Sequence, residues 1–198
     1  MIRLRLVLPC SAIAALVPSL AQAEPLTVVQ VAAPAIHCIF NPACFDTSRS
    51  DAGIVSLPGA TRPGWLRWRT FRGMGNVPAT GKYGYDYRID LTDIKPNPAQ
   101  TCVSALKIDF PWIQTYDYKP GTPAQVYVIS SGGAGSIGPT SADMEGTAVT
   151  FTFATPVCPG QSSYFFGLAS RKPPVESEAT LTSTQGKAIQ VQNSSPTH

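Results

Sequence analysis

Residues 82–92 read KYGYDYRIDLT, which is the clearest periodic pattern in the chain. Apolar or aromatic residues occupy every second position, and these are Tyr83, Tyr85, Tyr87, Ile89 and Leu91. A two-residue period predicts a β-strand with one buried face, because successive side chains of a strand point to opposite sides. We therefore expect the tyrosine row to face a core, and Asp86, Arg88 and Asp90 to face solvent.

Other segments have similar alternation or are rich in β-branched and aromatic residues. They cover residues 26–32, 64–73, 102–110, 124–130, 147–153, 163–169, 179–182 and 187–191. Turn-forming Gly, Pro, Ser and Asn lie between them, and no stretch of 12 residues has a helical period. About nine strands at this spacing predict an all-β fold, an antiparallel β-sandwich of Ig-like or jelly-roll-like type.

The first 23 residues have the pattern of a secretory signal peptide. Arg3 and Arg5 precede an uncharged apolar stretch, 6–20, and Ala21 and Ala23 supply the small residues of a cleavage site. The apolar stretch is short for a membrane span and contains two prolines. We therefore expect cleavage after Ala23 and a secreted or periplasmic protein.

The remaining residues, 24–198, are predicted to form a single β-sandwich domain. An N-terminal strand and a cysteine-containing loop occupy 24–63, and the main sheets occupy 64–192. The polar end of the chain, 193–198, contains no apolar segment and is expected to fray.

The composition excludes several classes of protein. The 198 residues are 43% hydrophobic and only 14% charged, against about 25% charged in an average soluble protein. This charge fraction argues against a coiled coil and against a nucleic-acid binder that works through bulk charge. Beyond the leader, no apolar stretch approaches the roughly 18 residues of a membrane-spanning helix. We expect no nucleic-acid partner and no membrane span after signal cleavage.

Four cysteines remain after the leader, and an even number in an oxidising compartment predicts two disulfides. Three pairings are possible, and we favour Cys38–Cys44 with Cys102–Cys158. The first closes a short loop around the Asn-Pro turn signal at residues 41–42. The second joins two predicted strands that are distant in sequence. No CxxC spacing is present, so we expect neither a metal site nor a cofactor.

Aromatic residues provide the best candidates for a binding site. Trp112, Tyr116 and Tyr118 lie near predicted strand ends, where exposed rings could stack on the apolar faces of sugars. Trp65 and Arg67 lie together on a predicted strand and form the second choice. These residues predict a non-catalytic module that binds a surface, a glycan or an envelope protein.

Two other functions remain open at this point. A carbohydrate-active hydrolase or lyase could pair Asp109 with Asp86 or Asp117, because glycoside hydrolysis needs two carboxylates. A structural component of an envelope assembly could bind its partner through an edge strand. Nucleophilic hydrolysis is less well supported, because no GxSxG motif is present and His37 is the only histidine apart from His198.

Overall fold

The computed structural model describes residues 22–46, 48–96 and 101–198. Nearly all of the predicted signal peptide lies outside these residues. The strands are β1 (Glu24–Leu26), β2 (Val28–Ala32), β3 (Arg49–Val55), β4 (Gly64–Arg72), β5 (Tyr83–Asp90), β6 (Val103–Asp109), β7 (Ile113–Gln114), β8 (Tyr116–Lys119), β9 (Thr122–Ala124), β10 (Val126–Ser131), β11 (Ser141–Glu145), β12 (Ala148–Val157), β13 (Phe165–Ser170), β14 (Pro174–Ser183) and β15 (Ala188–Pro196). A helix, α1 (Ala33–Phe40), follows β2.

Two main sheets stack in a sandwich-like arrangement. The six-stranded sheet has the order β1-β11-β12-β6-β14-β15. The seven-stranded sheet has the order β2-β10-β13-β5-β4-β3, and β7 adds to β13. All strand pairs are antiparallel except β2 with β10. The prediction of an all-β fold with antiparallel sheets is confirmed. The described residues form 15 strands rather than about nine, because the sequence pattern missed short strands such as β7 and β9. It also missed the seven-residue β3, which lies in the stretch that was expected to be a loop.

The main core lies between the two sheets, and the tyrosine row of β5 faces it as predicted. Tyr85 and Tyr87 are fully buried. The Tyr85 ring lies 5.1 Å from that of Phe110, and the Tyr87 ring lies 6.5 Å from that of Phe151, both measured between centroids. The tyrosine hydroxyls donate to the backbone carbonyls of Lys172 and Ser194 at 2.7 and 2.9 Å. These bonds satisfy the polar tips of two large core residues.

The opposite face of β5 was expected to face solvent, and this prediction is wrong. Asp86 is fully buried and Asp90 nearly so. Helix α1 and strand β8 cover this side of the seven-stranded sheet and form a second core, which includes Ile36, Phe40 and Tyr118. Alternation identified the strand correctly, but it could not show that distant segments cover the second face.

Both predicted disulfides are present. Cys38, in α1, is bonded to Cys44, and Cys102 is bonded to Cys158. The second bond lies beside the pair Val103–Val157, at the end of the β6–β12 ladder. The stretch that was expected to be a cysteine-containing loop includes a helix, because α1 begins at Ala33. Its eight residues, with a proline in the first turn, are too few to show a helical period.

The C-terminal residues do not fray. Strand β15 extends to Pro196, and Asn193, Ser194 and Ser195 are buried. Their backbone pairs with the N-terminal half of β14, from Pro174 to Ser177. Strand pairing therefore orders a polar segment that has no apolar pattern of its own. No helix among the described residues is long and apolar enough to cross a membrane.

Candidate binding groove between two edge strands

A concave surface follows the line where two edge strands meet. Strand β3 is the edge of the seven-stranded sheet, and β15 is the edge of the six-stranded sheet on the same side. The strands approach closely at Gly53, where a Cβ atom would lie 2.7 Å from Cγ2 of Val191 and closer still to the carbonyl oxygen of Gln192. Only glycine fits this contact without displacing the partner strand.

A cavity of about 640 Å³, the large cavity, opens between the sheets beside the N-terminal end of β3. It is lined by Arg49, Asp51, Trp68 and Thr70 from the seven-stranded sheet, and by Val175, Ser177 and Asn193 from the six-stranded sheet. In the strand register, Trp68 lies between Asp51 on β3 and Tyr87 on β5. The half-buried indole therefore forms part of a wall that faces the opposite sheet.

Two polar side chains, those of Ser177 and Asn193, lie at the floor of the large cavity. Ser177 and Asn193 face each other across the β14–β15 pair, two residues beyond the core pair Ala179 and Val191. Within the described residues, neither the Ser177 hydroxyl nor either polar atom of the Asn193 amide makes a hydrogen bond. Asn193 is only 1% exposed. These polar atoms have almost no solvent-accessible surface, so they form a closed polar layer beneath the large cavity.

The Tyr87 hydroxyl lies next to the Asn193 amide. Burial raises the pKa of Tyr87 well above its usual value, and the amide opposes this rise. The Tyr87 hydroxyl donates to the Ser194 carbonyl at 2.9 Å, and its oxygen can also accept from the Asn193 amide. The amide therefore already has a polar neighbour within the core.

A second cavity of about 440 Å³, the small cavity, continues along the same two strands. It is lined by Ile54 and Trp65, which are neighbours in the β3–β4 pair, and by Glu178, Gln190 and Gln192. The two cavities share the lining residues Ala52, Glu178 and Gln192. Together they form one groove, the edge groove, which runs along β3 and β15 past Gly53.

The three aromatic residues that were predicted to form one exposed platform differ in exposure, although the rings of Tyr116 and Tyr118 lie 5.9 Å apart. Trp112 is 45% exposed, and the Arg171 guanidinium lies 4.2 Å from its ring centroid. Tyr116 is half-buried against Phe40, with ring centroids 6.3 Å apart. Tyr118 is buried in the second core, which contradicts its expected exposure. Tyr118 is buried because its strand, β8, packs on the outer side of the seven-stranded sheet.

The second-choice residues, Trp65 and Arg67, lie on the outer face of β4. Trp65 lines the small cavity, so one predicted residue belongs to the edge groove. The Nε atom of Arg67 donates to Asp90 at 2.8 Å, so Arg67 has a structural role as the ion-pair partner of this carboxylate.

The carboxylates considered for hydrolysis do not come together. Asp86 is buried on the outer side of the seven-stranded sheet, where it pairs with Arg69. Asp109 lies on the outer side of the six-stranded sheet, 2.5 Å from the ring of His198. Asp117 accepts the backbone N–H groups of Gly121 and Thr122 at 3.0 and 3.1 Å. Each carboxylate therefore has a local structural partner.

Sequence reasoning missed Trp68 and Asn193. Trp68 shares its strand face with Leu66, so the alternation of β4 would have placed it towards the core side. Asn193 lies in the segment that was expected to fray, and a residue in a frayed segment is not a candidate for a binding site. The described ranges contain no cluster of three or more His, Cys, Asp or Glu side chains placed to bind a metal ion. Comparison of the chain with protein-family models, with curated proteins and with solved structures finds no match.

Proposed function

We propose that this protein is a non-catalytic glycan-binding domain that acts outside the cytoplasm and holds a saccharide in the large cavity. One observation carries the proposal: Trp68 lines the same cavity as the exposed polar side chains of Asp51, Glu176 and Gln192. The volume of about 640 Å³ lies within the range of about 300–1,000 Å³ that is typical of small-molecule sites.

The chemistry of the large cavity suits a sugar better than an apolar ligand. The indole of Trp68 offers an apolar face for the C–H groups of a pyranose ring. The exposed side chains of Asp51, Glu176 and Gln192 in the lining can bond sugar hydroxyls.

The two disulfides support an extracytoplasmic location, because such bonds persist mainly in oxidising compartments. The predicted signal peptide is consistent with this location. A binding role fits better than hydrolysis, because Asp86 and Asp109 lie on opposite outer faces of the two sheets.

The proposal is tested with a glycan array and the purified, oxidised protein. We expect specific binding by the wild type and at least tenfold weaker binding by Trp68→Ala, since tenfold corresponds to about 1.4 kcal/mol. Trp112→Ala is the matched control, because it removes an exposed indole outside the edge groove. Titration calorimetry with the best saccharide on the array then gives the dissociation constants.

Loss of binding in Trp112→Ala, with Trp68→Ala unaffected, would move the site to Trp112 and contradict the proposal. A folded protein that binds no saccharide would also overturn it. If Trp68→Ala unfolds, Asp51→Ala replaces it, because Asp51 is exposed and pairs with Trp68 in the strand register. Circular dichroism and thermal melting establish that each variant is folded.

A further inference from the structure

We infer that the ligand of the edge groove is a single soluble chain of linked sugar units, which extends from Trp68 past Gly53 to Trp65. This inference rests on the proposed function and goes further, because it specifies the form of the glycan. A monosaccharide would occupy the large cavity only. An insoluble polysaccharide would present a flat face rather than a single chain.

The length of the edge groove is the first argument. Its β3 side runs from Arg49 to Ile54, and six residues of an extended strand span roughly 17 Å. Its other side runs along β15 from Ser194 to Gln190. A groove of this length can hold several sugar units in a row, whereas either cavity alone holds few.

The continuity of the two cavities is the second argument. Gln192 and Ala52 line both cavities, so the two adjoin along the seam of β3 and β15. At the crossing point Gly53 has no side chain, and its backbone contacts Gln192 directly. A chain lying along the seam therefore meets backbone atoms and the long polar side chains of Gln190, Gln192 and Glu178, which can bond sugar hydroxyls.

The orientation of the two indoles is the third argument. Trp65 and Trp68 are three residues apart on β4, so their side chains point to opposite faces of the strand, with Cα atoms roughly 10 Å apart. Trp68 faces the space between the sheets, and Trp65 faces the outer side. Rings on opposite faces cannot form the coplanar platform that a flat polysaccharide surface needs. A flexible single chain can contact both by twisting along the seam.

The test measures how binding depends on chain length. The probes are soluble oligomers of glucose, of mannose and of N-acetylglucosamine, each from one to eight units, together with the corresponding insoluble polymers. We expect the affinity for at least one series to rise at least tenfold between two and six units. Trp65→Ala should remove this gain and leave binding of the dimer unchanged. Trp68→Ala should weaken binding at every length. Trp112→Ala should change neither the affinity for the dimer nor the gain with chain length.

The outcomes separate the inference from the proposed function. Length-independent binding that is insensitive to Trp65→Ala would overturn the extended chain and leave a single sugar pocket at Trp68. Preferential binding to the insoluble polymers would overturn the inference in favour of a flat surface. Two results would overturn both the inference and the proposed function. One is that none of the three series binds. The other is that an extended peptide binds as an added strand on β3 or β15. If Trp65→Ala unfolds, Gln190→Ala replaces it, because Gln190 is exposed on β15 and lines the small cavity.

Discussion

Asp86 holds together the buried polar network on the outer side of the seven-stranded sheet. It forms an ion pair with Arg69 and accepts a hydrogen bond from the Tyr127 hydroxyl at 2.6 Å. Burial raises the pKa of Asp86, while the Arg69 guanidinium and the Tyr127 hydroxyl oppose that rise. The carboxylate therefore depends on these two partners for its place in the second core.

Replacement of Asp86 by Ala should lower the free energy of unfolding by about 3–5 kcal/mol, because it removes the fully buried carboxylate that pairs with the Arg69 guanidinium and accepts from the Tyr127 hydroxyl. Asp46→Ala is the matched control. It removes the other carboxylate that contacts Arg69, at 2.6 Å, but the Asp46 side chain is 36% exposed. Its loss should cost at most about 1 kcal/mol. Urea denaturation measures both values, and equal losses would contradict the role assigned to Asp86.

At the residue scale, the sequence predicted which face of β5 is apolar but not the fate of the other face. Tyr85 and Tyr87 are buried because they follow the two-residue period. Asp86 follows the same two-residue alternation on the polar face of β5, and it is buried only because α1 and β8 pack over that face. Trp65 was found as a candidate because it lies with Arg67 on a predicted strand. Asn193 gave no such signal, because an asparagine in a polar segment resembles an ordinary loop residue.

At the element scale, the close contact of β3 with β15 defines the edge groove. Gly53→Val would place a branched side chain against the Gln192 carbonyl, and the two edge strands would have to separate. Overpacking of this kind costs about 1–3 kcal/mol of stability. The midpoint of urea denaturation checks this expectation.

Ser50→Val is the control for Gly53→Val. Ser50 is exposed on the same strand, so a branched residue there should change stability by no more than about 0.5 kcal/mol. If both variants were equally stable, the contact at Gly53 would not hold the edges together. The edge groove would then lack a fixed point of contact between β3 and β15.

The elements differ in how well the sequence predicted them. Strands β4, β5 and β6 were found close to their true bounds, because each carries its own alternation of apolar and polar residues. Strand β15 was predicted too short, because its last residues are ordered by backbone pairing with β14 rather than by an apolar face. Helix α1 has too few residues to show a period. The seam of β3 and β15 depends on which strands become sheet edges, and that choice is a property of the whole topology.

At the scale of the whole molecule, the two disulfides constrain very different lengths of chain. Cys38 and Cys44 are six residues apart, whereas Cys102 and Cys158 are 56 apart. The segment between the latter pair includes β10, in the seven-stranded sheet, and β11, in the six-stranded sheet. The long bridge therefore restricts a part of the unfolded chain that contributes to both sheets.

Removal of the long bridge should therefore destabilise the protein more than removal of the short one. The loss of unfolded-chain entropy on cross-linking predicts roughly 4 kcal/mol for a loop of this length and roughly 2.4 kcal/mol for the short loop. The double variants Cys102→Ala/Cys158→Ala and Cys38→Ala/Cys44→Ala, compared by urea denaturation, measure the two values. A larger loss for the short bridge would show that it stabilises the native state directly, through the position of α1 over the second core. The entropic account would then be wrong for this fold, and the helix rather than the chain length would determine the effect of the bridge.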